Sequence, residues 1–127
     1  NAAVDVFREE VKRHASVQGF AASATVPGKQ REYKAVVKKY GASDDTQITV
    51  RFNSMDYDFI DVFGMKLIAG RAFSESFPAD PDTSVVITET AARQLGFAKA
   101  EDAIGQTIAI TAFEWNPIVV GVVNDYH

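Results

Sequence analysis

The sequence predicts a single α+β domain, on two observations. Segments with the two-residue alternation of β-strands come in runs of two or three between helical patterns, in the order α-β-β-β-α-β-β-α-β-β. The chain has 127 residues, of which 46% are hydrophobic, so it is long enough for one compact domain with its own core.

The first part of the chain predicts one helix and three strands. Residues 4–15 (VDVFREEVKRHA) place Val4, Phe7 and Val11 on one face at helical spacing, with charged residues on the other face. Strand patterns follow over residues 17–28, 32–41 and 46–54. Because turn signals separate these strands, they predict an antiparallel sheet with one covered face.

The third strand has the clearest alternation of apolar and polar residues. Its sequence, TQITVRFNS, predicts that Ile48, Val50 and Phe52 face inward. The side chains predicted to face solvent are Thr49, Arg51 and Asn53. In the second strand, lysines occupy the outer face, a pattern that protects a sheet edge against aggregation, so we predict an edge strand there.

The second half of the chain predicts two helices with recognisable ends. Residues 55–64 form the first, and Gly64 ends it. Residues 88–97 form the second, in which Thr88 is a candidate N-cap and Gly96–Phe97 predict a Schellman-type ending.

Four further strands are predicted in this half, together with one extra helical turn at residues 100–105 that stops at Gly105. The strand patterns cover residues 65–70, 84–89, 107–111 and 118–123. The last of them, IVVGVV, is apolar on both faces, so we predict a central, buried strand. Gly121 within it indicates a close approach of another backbone.

Composition excludes several kinds of site. The chain has no cysteine, so disulfides, thiolate nucleophiles and cysteine-rich zinc sites are ruled out.

The longest apolar run of the chain, PIVVGVV, is far shorter than the ~20 residues of a membrane helix. No signal peptide is visible, and the opening residues 1–2 resemble the remnant of a cleaved tag, so we expect an excised piece of a larger protein.

Charge is distributed unevenly along the chain. Residues 1–43 carry eight Lys/Arg and four Asp/Glu, whereas residues 44–127 carry five and thirteen. Such asymmetry can orient a domain beside a charged partner, and ordinary solvated faces explain it equally. The acidic balance and the lack of a binding motif argue against nucleic acid as a partner.

No pattern in the sequence assembles a catalytic, cofactor or metal site. The motifs of serine hydrolases, dinucleotide-binding folds, P-loops and zinc proteases are missing, so we predict no catalytic residue and no cofactor. A zinc site would need His14 and His127 from opposite ends of the sequence, so no metal is predicted. Acids cluster at residues 56–61, where they are predicted to open a helix, and at Asp80 and Asp82, in a predicted solvated loop.

Arg71 raises the question of a functional side chain at the end of a strand. It follows Gly70 and precedes Phe73 in the stretch FGMKLIAGRAFSESFPADPD. A flexible backbone position and an apolar anchor thus flank a guanidinium with five donors. Because no nucleophile, base or phosphate loop lies nearby in sequence, we predict that Arg71 braces a turn; a catalytic or binding role is the alternative.

The order of several short motifs resembles one family. DYDFIDVFGMKLIAGRAFSESFPAD, SVVITETAARQLGF, AIGQTI and IVVGVVNDYH together resemble the periplasmic core domain of MacB-like or FtsX-like ABC transporter permeases. The matching residues that we take as structural-motif positions are Tyr57, Gly64, Gly70, Arg71, Phe73, Glu89, Gly105, Gly121 and Asp125. The resemblance covers nearly the whole chain and is densest from Asp56 onward.

Two features depart from the family pattern. Thr88 stands where the family often has asparagine. The stretch TAFEWNP replaces a more polar hairpin, which makes Phe113 and Trp115 candidate contact residues, with burial in the core as the alternative.

The resemblance implies a domain between two transmembrane helices of a permease, on the periplasmic side of the cytoplasmic membrane. A separate cytoplasmic ABC ATPase would hydrolyse ATP, and this domain would be non-catalytic. It would move with the helices and act on cargo or on a periplasmic or outer-membrane partner. The resemblance also implies two subdomains, a mixed β-sheet lobe packed by helices and a smaller inserted α/β lobe, with the change near residue 56.

Two other functions are compatible with the residues. One is a free-standing periplasmic module that binds a ligand or peptide. The other is an enzyme that uses the acidic cluster of Asp56, Asp58 and Asp61. Hydrophobic helices of ~20 residues on either side of this segment would favour the permease domain over both.

Overall fold

A computed structural model of the chain describes residues 19–24, 33–55 and 59–125. The strands in these ranges are β1 (Gly19–Ala24), β2 (Tyr33–Lys39), β3 (Ile48–Met55), β4 (Leu67–Gly70), β5 (Ser84–Thr88), β6 (Ile108–Ala109) and β7 (Ile118–Val123). The α-helices are α1 (Phe59–Val62), α2 (Asp80–Thr83), α3 (Glu89–Gln94) and α4 (Ala100–Ala103). Two 3₁₀ turns lie at Asp44–Thr46 and Thr111–Phe113. The predicted helix at residues 4–15 lies outside the described residues.

The described strands form one seven-stranded mixed sheet in the order β4-β7-β5-β1-β3-β2-β6. β5 runs parallel to both of its neighbours, β1 and β7. The pairs β1–β3, β2–β3, β2–β6 and β4–β7 are antiparallel. The predicted α+β class is therefore confirmed, and the first three strands form the predicted antiparallel group.

β5 and β7 lie in the interior of the sheet because their residues are apolar on both faces. Every residue of β5 is buried, and β7 lies between β4 and β5, as its apolar sequence predicted. Neighbouring residues of β5 point to opposite faces, so Val85 and Val86 belong to two different apolar clusters.

The larger cluster, which we call the first core, lies between the sheet and helices α3 and α4. The helices contribute Ala91, Ala92 and Ala103, whose small side chains let the helices approach the strands closely, and Leu95 packs there just after α3. The sheet contributes Ala22, Ala35, Val37, Val50, Phe52, Val85, Ile87, Ile108, Val119 and Val122.

The second core covers the opposite face of the sheet. It contains Ala21, Met65, Phe73, Val86 and Val123, against which Ile60 of α1, Ala72 and Val120 pack. The expectation of a sheet with one covered face is therefore wrong for the central strands, whereas Lys34, Val36 and Thr49 on the outer face of β2 and β3 are exposed. The connections before and after β4 fold over the second face at β1, β5 and β7 and bury it there.

Arg51 illustrates the consequence of covering both faces. The alternation in β3 predicted that its side chain would face solvent, but Arg51 is only 4% exposed. It pairs in register with Ser23 of β1, which is 5% exposed, on the face away from Val50 and Phe52. The alternation thus predicted correctly which residues share a face of β3, but not whether that face is exposed. A two-residue period is the same for a face in contact with solvent and for a face in contact with a second core.

The predicted edge strand, β2, lies second from one end of the sheet. β6 pairs with it only at Lys38 and Lys39, so the short last strand covers one end of β2. Lys34 is exposed and Ala35 is buried, as the alternation predicted. The division into two subdomains near residue 56 stays a prediction.

Candidate functional site

The end of β4 and the middle of β7 approach each other closely where two glycines meet. Gly70 has φ +75°, a left-handed conformation that favours glycine, and a Cβ built on it would lie 2.1 Å from the Val120 carbonyl oxygen. A Cβ on Gly121 would lie 2.2 Å from the Arg71 carbonyl oxygen. Because both side chains are absent, the Arg71 amide donates a 2.8 Å hydrogen bond to the Val120 carbonyl. The close approach that Gly121 predicted is confirmed.

This contact aims the Arg71 side chain at a buried carboxylate. Nη1 donates to Asp80 Oδ2 and Nη2 donates to Asp80 Oδ1, both at 2.9 Å, in a bidentate ion pair. Nη1 also donates to the Ala72 carbonyl at 3.1 Å. The hydrogen bonds to Asp80 raise the pKa of Arg71 above its ordinary value, against the opposing effect of burial.

An aromatic ring covers the guanidinium of Arg71. The Cζ atom lies 3.7 Å from the centre of the Phe77 ring, a cation–π arrangement. The side chain of Arg71 is 32% exposed, whereas that of Asp80 is 3% exposed. The arginine therefore neutralises a carboxylate that could not otherwise be buried without a large cost. With both terminal nitrogens bonded to protein oxygens, this geometry is that of a brace, the role we predict for Arg71.

Asp80 is the partner that the sequence did not reveal. The stretch around Pro81 was predicted to be a solvated loop, but Asp80 is 2% exposed and begins the short helix α2. This expectation is wrong because proline near the start of a helix is tolerated, so a Pro-rich stretch can still form a turn of helix. The signal in the sequence was the acid just before proline, which suits the first turn of a helix.

The segment after β7 ties two elements together. The Asn124 amide donates to the Lys66 carbonyl at 3.1 Å, and Asn124 Oδ1 accepts from the Lys66 amide at 2.8 Å. The next carboxylate, Asp125, accepts from the Thr90 amide at 3.2 Å and from the Thr90 hydroxyl. We call these two contacts the clasp: Asn124 with Lys66 on one side, and Asp125 with Thr90 on the other.

Helix α3 has the ends that its sequence predicted. Thr88 Oγ1 accepts from the Ala91 amide at 3.3 Å, which confirms the N-cap. The Phe97 amide donates to the Ala92 carbonyl at 3.1 Å, which is the bond of a Schellman ending. On the outer face of the helix, Glu89 pairs with Arg93 at 3.7 Å.

The remaining motif residues occupy turns or the second core. Gly64 has φ +64° and follows α1, and Gly105 has φ +83° and follows α4. The Gly105 amide also donates to the Val119 carbonyl at 2.8 Å. Phe73 is 3% exposed in the second core. Tyr57 lies outside the described residues.

Phe113 and Trp115 pack against the first core and are half-buried. The rings of Trp115 and Phe52 lie 6.1 Å apart, tilted by 58°. Trp115 Nε1 donates to the carbonyl of Asp82, so the indole links the β6–β7 connection to α2. Both aromatic residues thus contribute to packing, and a contact with another protein stays a prediction.

The described residues offer no grouping of three or more His, Cys, Asp or Glu side chains that could hold a metal ion. Asp61 is exposed on α1, and the other acids of its cluster, Asp56 and Asp58, lie outside the described residues. His14 and His127 also lie outside them. Among the helices in the described ranges, none has the length and apolar character needed to cross a membrane.

Comparison with known protein families identifies the family to which this chain belongs. The chain belongs to the family of MacB-like periplasmic core domains, whose sequence model matches residues 3–127. The predicted resemblance is therefore confirmed. A search of curated proteins found no match.

A solved structure shows the same fold. The chain is similar to the crystal structure of the periplasmic region of MacB from Actinobacillus actinomycetemcomitans, with a TM-score of 0.53 and 19% sequence identity. The match covers 94% of this chain and 50% of that one, so the chain spans half the length of the solved region.

Proposed function

We propose that this chain is the extracytoplasmic domain of an ABC transporter permease, on the periplasmic side of the cytoplasmic membrane. It performs no chemistry. It couples the movement of transmembrane helices to the handling of cargo or a partner outside the membrane, while a separate cytoplasmic ATPase hydrolyses ATP.

The family match over residues 3–127 carries this proposal. The architecture supports it, because one sheet joins strands from both halves of the chain and each face of the sheet has its own core. Such a unit transmits a pull on one element to its neighbours, since close-packed interiors transmit strain. A mechanical element needs this property.

The charged groups support a structural function as well. Arg71 and Asp80 form a bidentate pair, and Arg71 also donates to the Ala72 carbonyl, in a position that fixes the connection after β4. Catalytic sites instead hold polar groups ready for a reacting molecule. The partners that this proposal assigns are the remainder of the permease, the ATPase, and a periplasmic or outer-membrane protein; nucleic acid is not among them.

The decisive experiment uses the complete permease with its ATPase, in lipid nanodiscs. Amide hydrogen exchange across the domain is compared without nucleotide and with ATP plus vanadate, which traps the ATPase. We expect nucleotide-dependent changes in exchange within the domain, because movement of the membrane helices reaches it. A domain whose exchange is identical in both states would contradict the proposal.

The natural reading frame separates this function from a free-standing binding module. A permease domain requires hydrophobic helices of ~20 residues on its flanks, whereas a free module has none. The enzyme hypothesis has its own test. A hydrolase screen with and without calcium should give no turnover, and turnover that Asp58→Asn abolishes would restore that hypothesis.

A further inference from the structure

We infer that the short helix α2, Asp80–Thr83, is a latch that joins the two cores of this domain, and that releasing it on one side loosens it on the other. Arg71 binds α2 from the side of the second core, and Trp115 binds it from the side of the first core. The latch lies within the domain itself, so it does not depend on the transporter that the proposed function assigns.

The first attachment connects α2 to the second core. Both terminal nitrogens of Arg71 donate to the Asp80 carboxylate at 2.9 Å. The residues that follow Arg71 belong to the second core, since Ala72 packs against it and Phe73 is 3% exposed within it. The Arg71 amide is bonded to the carbonyl of Val120, which packs against the same core. A displacement of Asp80 therefore acts on residues of the second core.

The second attachment connects α2 to the first core. Trp115 Nε1 donates to the carbonyl of Asp82, which lies two residues further along the same helix. The indole packs against the first core, with its ring 6.1 Å from that of Phe52. The backbones of Trp115 and Ile110 exchange two hydrogen bonds, at 2.9 and 3.3 Å, and Ile110 is fully buried in that core. A displacement of Asp82 therefore acts on the hairpin that contributes to the first core.

Both attachments require α2 to be folded, so we expect each to depend on the other. The helix has only four residues, far fewer than the ~12 at which an isolated helix becomes even marginally stable in water. When one attachment is broken, the segment gains conformational freedom, and the remaining attachment must offset the entropy of ordering it. Contacts that share a segment of backbone in this way are coupled energetically, although Arg71 and Trp115 bind different residues of α2.

The test measures amide hydrogen exchange of the chain, residue by residue, by NMR. The amides of Ile110 and Trp115 report on the hairpin, and those of Val86 and Ile87 in the buried strand β5 report on global unfolding. We expect Arg71→Ala to raise exchange at Ile110 and Trp115 by a factor at least about fivefold larger than in β5, the lower end of typical couplings between sites.

The reciprocal measurement uses Trp115→Phe, which removes the indole donor and keeps an aromatic ring. Because an energetic coupling between two sites is reciprocal, this variant should raise exchange at the Arg71 amide by a similar factor relative to β5. A contact that stabilised only its own surroundings would leave the opposite attachment unchanged.

Gly19→Ala is the matched control, because it perturbs the second core and leaves both attachments of the latch in place. The three atoms nearest to the added Cβ, at 2.5 Å, all belong to the Phe73 ring. Its expected loss of stability lies in the same range as that of Arg71→Ala, so an effect of reduced stability alone would appear in both variants. We expect exchange at Ile110 and Trp115, relative to β5, to stay within about twofold of the parent.

Asp80→Asn gives a second measurement if Arg71→Ala does not fold. It removes the charge of the carboxylate and keeps one acceptor oxygen, so exchange at Ile110 and Trp115 should rise in the same direction by a smaller factor. A smaller rise than expected in Arg71→Ala would overturn the inference, as would the absence of any rise in Asp80→Asn where only that variant folds. An equal rise in Gly19→Ala would overturn it too. In each case α2 would hold two independent contacts, and the proposed function would stand.

Discussion

The ring of Phe73 lies directly on the Cα atom of Gly19. A Cβ atom built on Gly19 would be 2.5 Å from three atoms of that ring, closer than real Cβ contacts occur. Phe73 follows β4 and Gly19 begins β1, so the contact joins residues that are 54 positions apart in the sequence. It closes the second core over the central strands.

This contact predicts that Gly19→Ala destabilises the domain. Phe73 is only 3% exposed, so its ring has no free space into which it can withdraw. Overpacking of this kind typically costs about 1–3 kcal/mol in the free energy of unfolding. Urea denaturation of the variant and the parent measures the difference.

The double variant Gly19→Ala/Phe73→Leu is the control for this explanation. A smaller side chain at position 73 relieves the clash, so the double variant should lose less stability than the sum of the two single variants. Additive losses would mean that the ring is not what excludes a side chain at Gly19.

The Arg71–Asp80 pair predicts that Arg71→Ala lowers the stability of the domain. The substitution leaves the Asp80 carboxylate, 3% exposed, without its bidentate partner. Leaving such a group unsatisfied costs about 1–3 kcal/mol in the free energy of unfolding. Thermal and urea denaturation measure the loss.

Arg93→Ala is the matched control for Arg71→Ala. Arg93 also pairs with an acid, Glu89, but its side chain is 59% exposed and the separation is 3.7 Å. Exposed pairs contribute only about 0.2–1 kcal/mol, so this variant should stay close to the parent. If Arg71→Ala were as stable as the parent yet inactive in the permease, Arg71 would be a contact residue and the bracing role would be wrong.

Substitutions of Trp115 test whether this residue packs in the core or contacts a partner protein. The indole donates to the Asp82 carbonyl and packs near Phe52 in the first core. Trp115→Phe keeps an aromatic ring and loses the hydrogen bond, for an expected cost of about 0.5–1.5 kcal/mol in stability. Trp115→Ala removes the ring as well and should cost about 3–5 kcal/mol where the ring is fully buried, and less at this half-buried site.

Urea denaturation followed by circular dichroism measures both Trp115 variants, since fluorescence is lost with the tryptophan. A contact residue on the surface would give the opposite pattern, with both variants as stable as the parent. In that case the aromatic ring would serve a partner, and binding assays on the permease would show the loss.

The hairpin between β2 and β3 carries an ion pair with a predictable titration. Lys38 Nζ donates to Asp44 Oδ1 at 2.7 Å. This hydrogen bond, with the charge of Lys38 as the second cause, lowers the pKa of Asp44 below its ordinary value of 3.8. Lys38→Met should therefore raise the pKa of Asp44, as measured by NMR titration of the carboxyl carbon.

The sign of the stability effect follows from the direction of this shift. A carboxyl with a lowered pKa in the folded state stabilises the protein above its ordinary pKa, and the contribution is lost as pH falls through the folded value. The stability difference between the parent and Lys38→Met should thus be present at neutral pH, though small for so exposed a pair, and vanish in acid. An Asp44 pKa that is the same in both proteins would show that the pair does not form in solution.

Much of the fold followed from local patterns. The alternation in β3, the apolar run of β7 and the capping residues around α3 each depend on side chains close together in the sequence. Thr88 and Gly96 act within a single helix, so their roles could be predicted from that helix alone. A glycine inside a strand indicates a close approach of another backbone, so Gly121 alone was enough to predict this contact.

The contacts of the candidate site could not be predicted in the same way. Several acids follow Arg71, and the sequence does not show that Asp80 is buried beside Arg71 while Asp82 is exposed. The buried Arg51 shows the same limit, since its polar position on β3 matched a solvent face. Selecting among such residues requires knowing which other segments cover them.

The sequence by itself determined the α+β class, the family and the order of most elements, because these depend on periodicity, capping and the order of short motifs. Only the tertiary structure decided that both faces of the central strands are covered, that Arg71 binds Asp80, and that Asp125 holds α3. The physical reason is that ion pairs and packing contacts form between groups a few ångströms apart in space. The residues that make them are far apart in the sequence, and local sequence patterns do not show which distant residues come together.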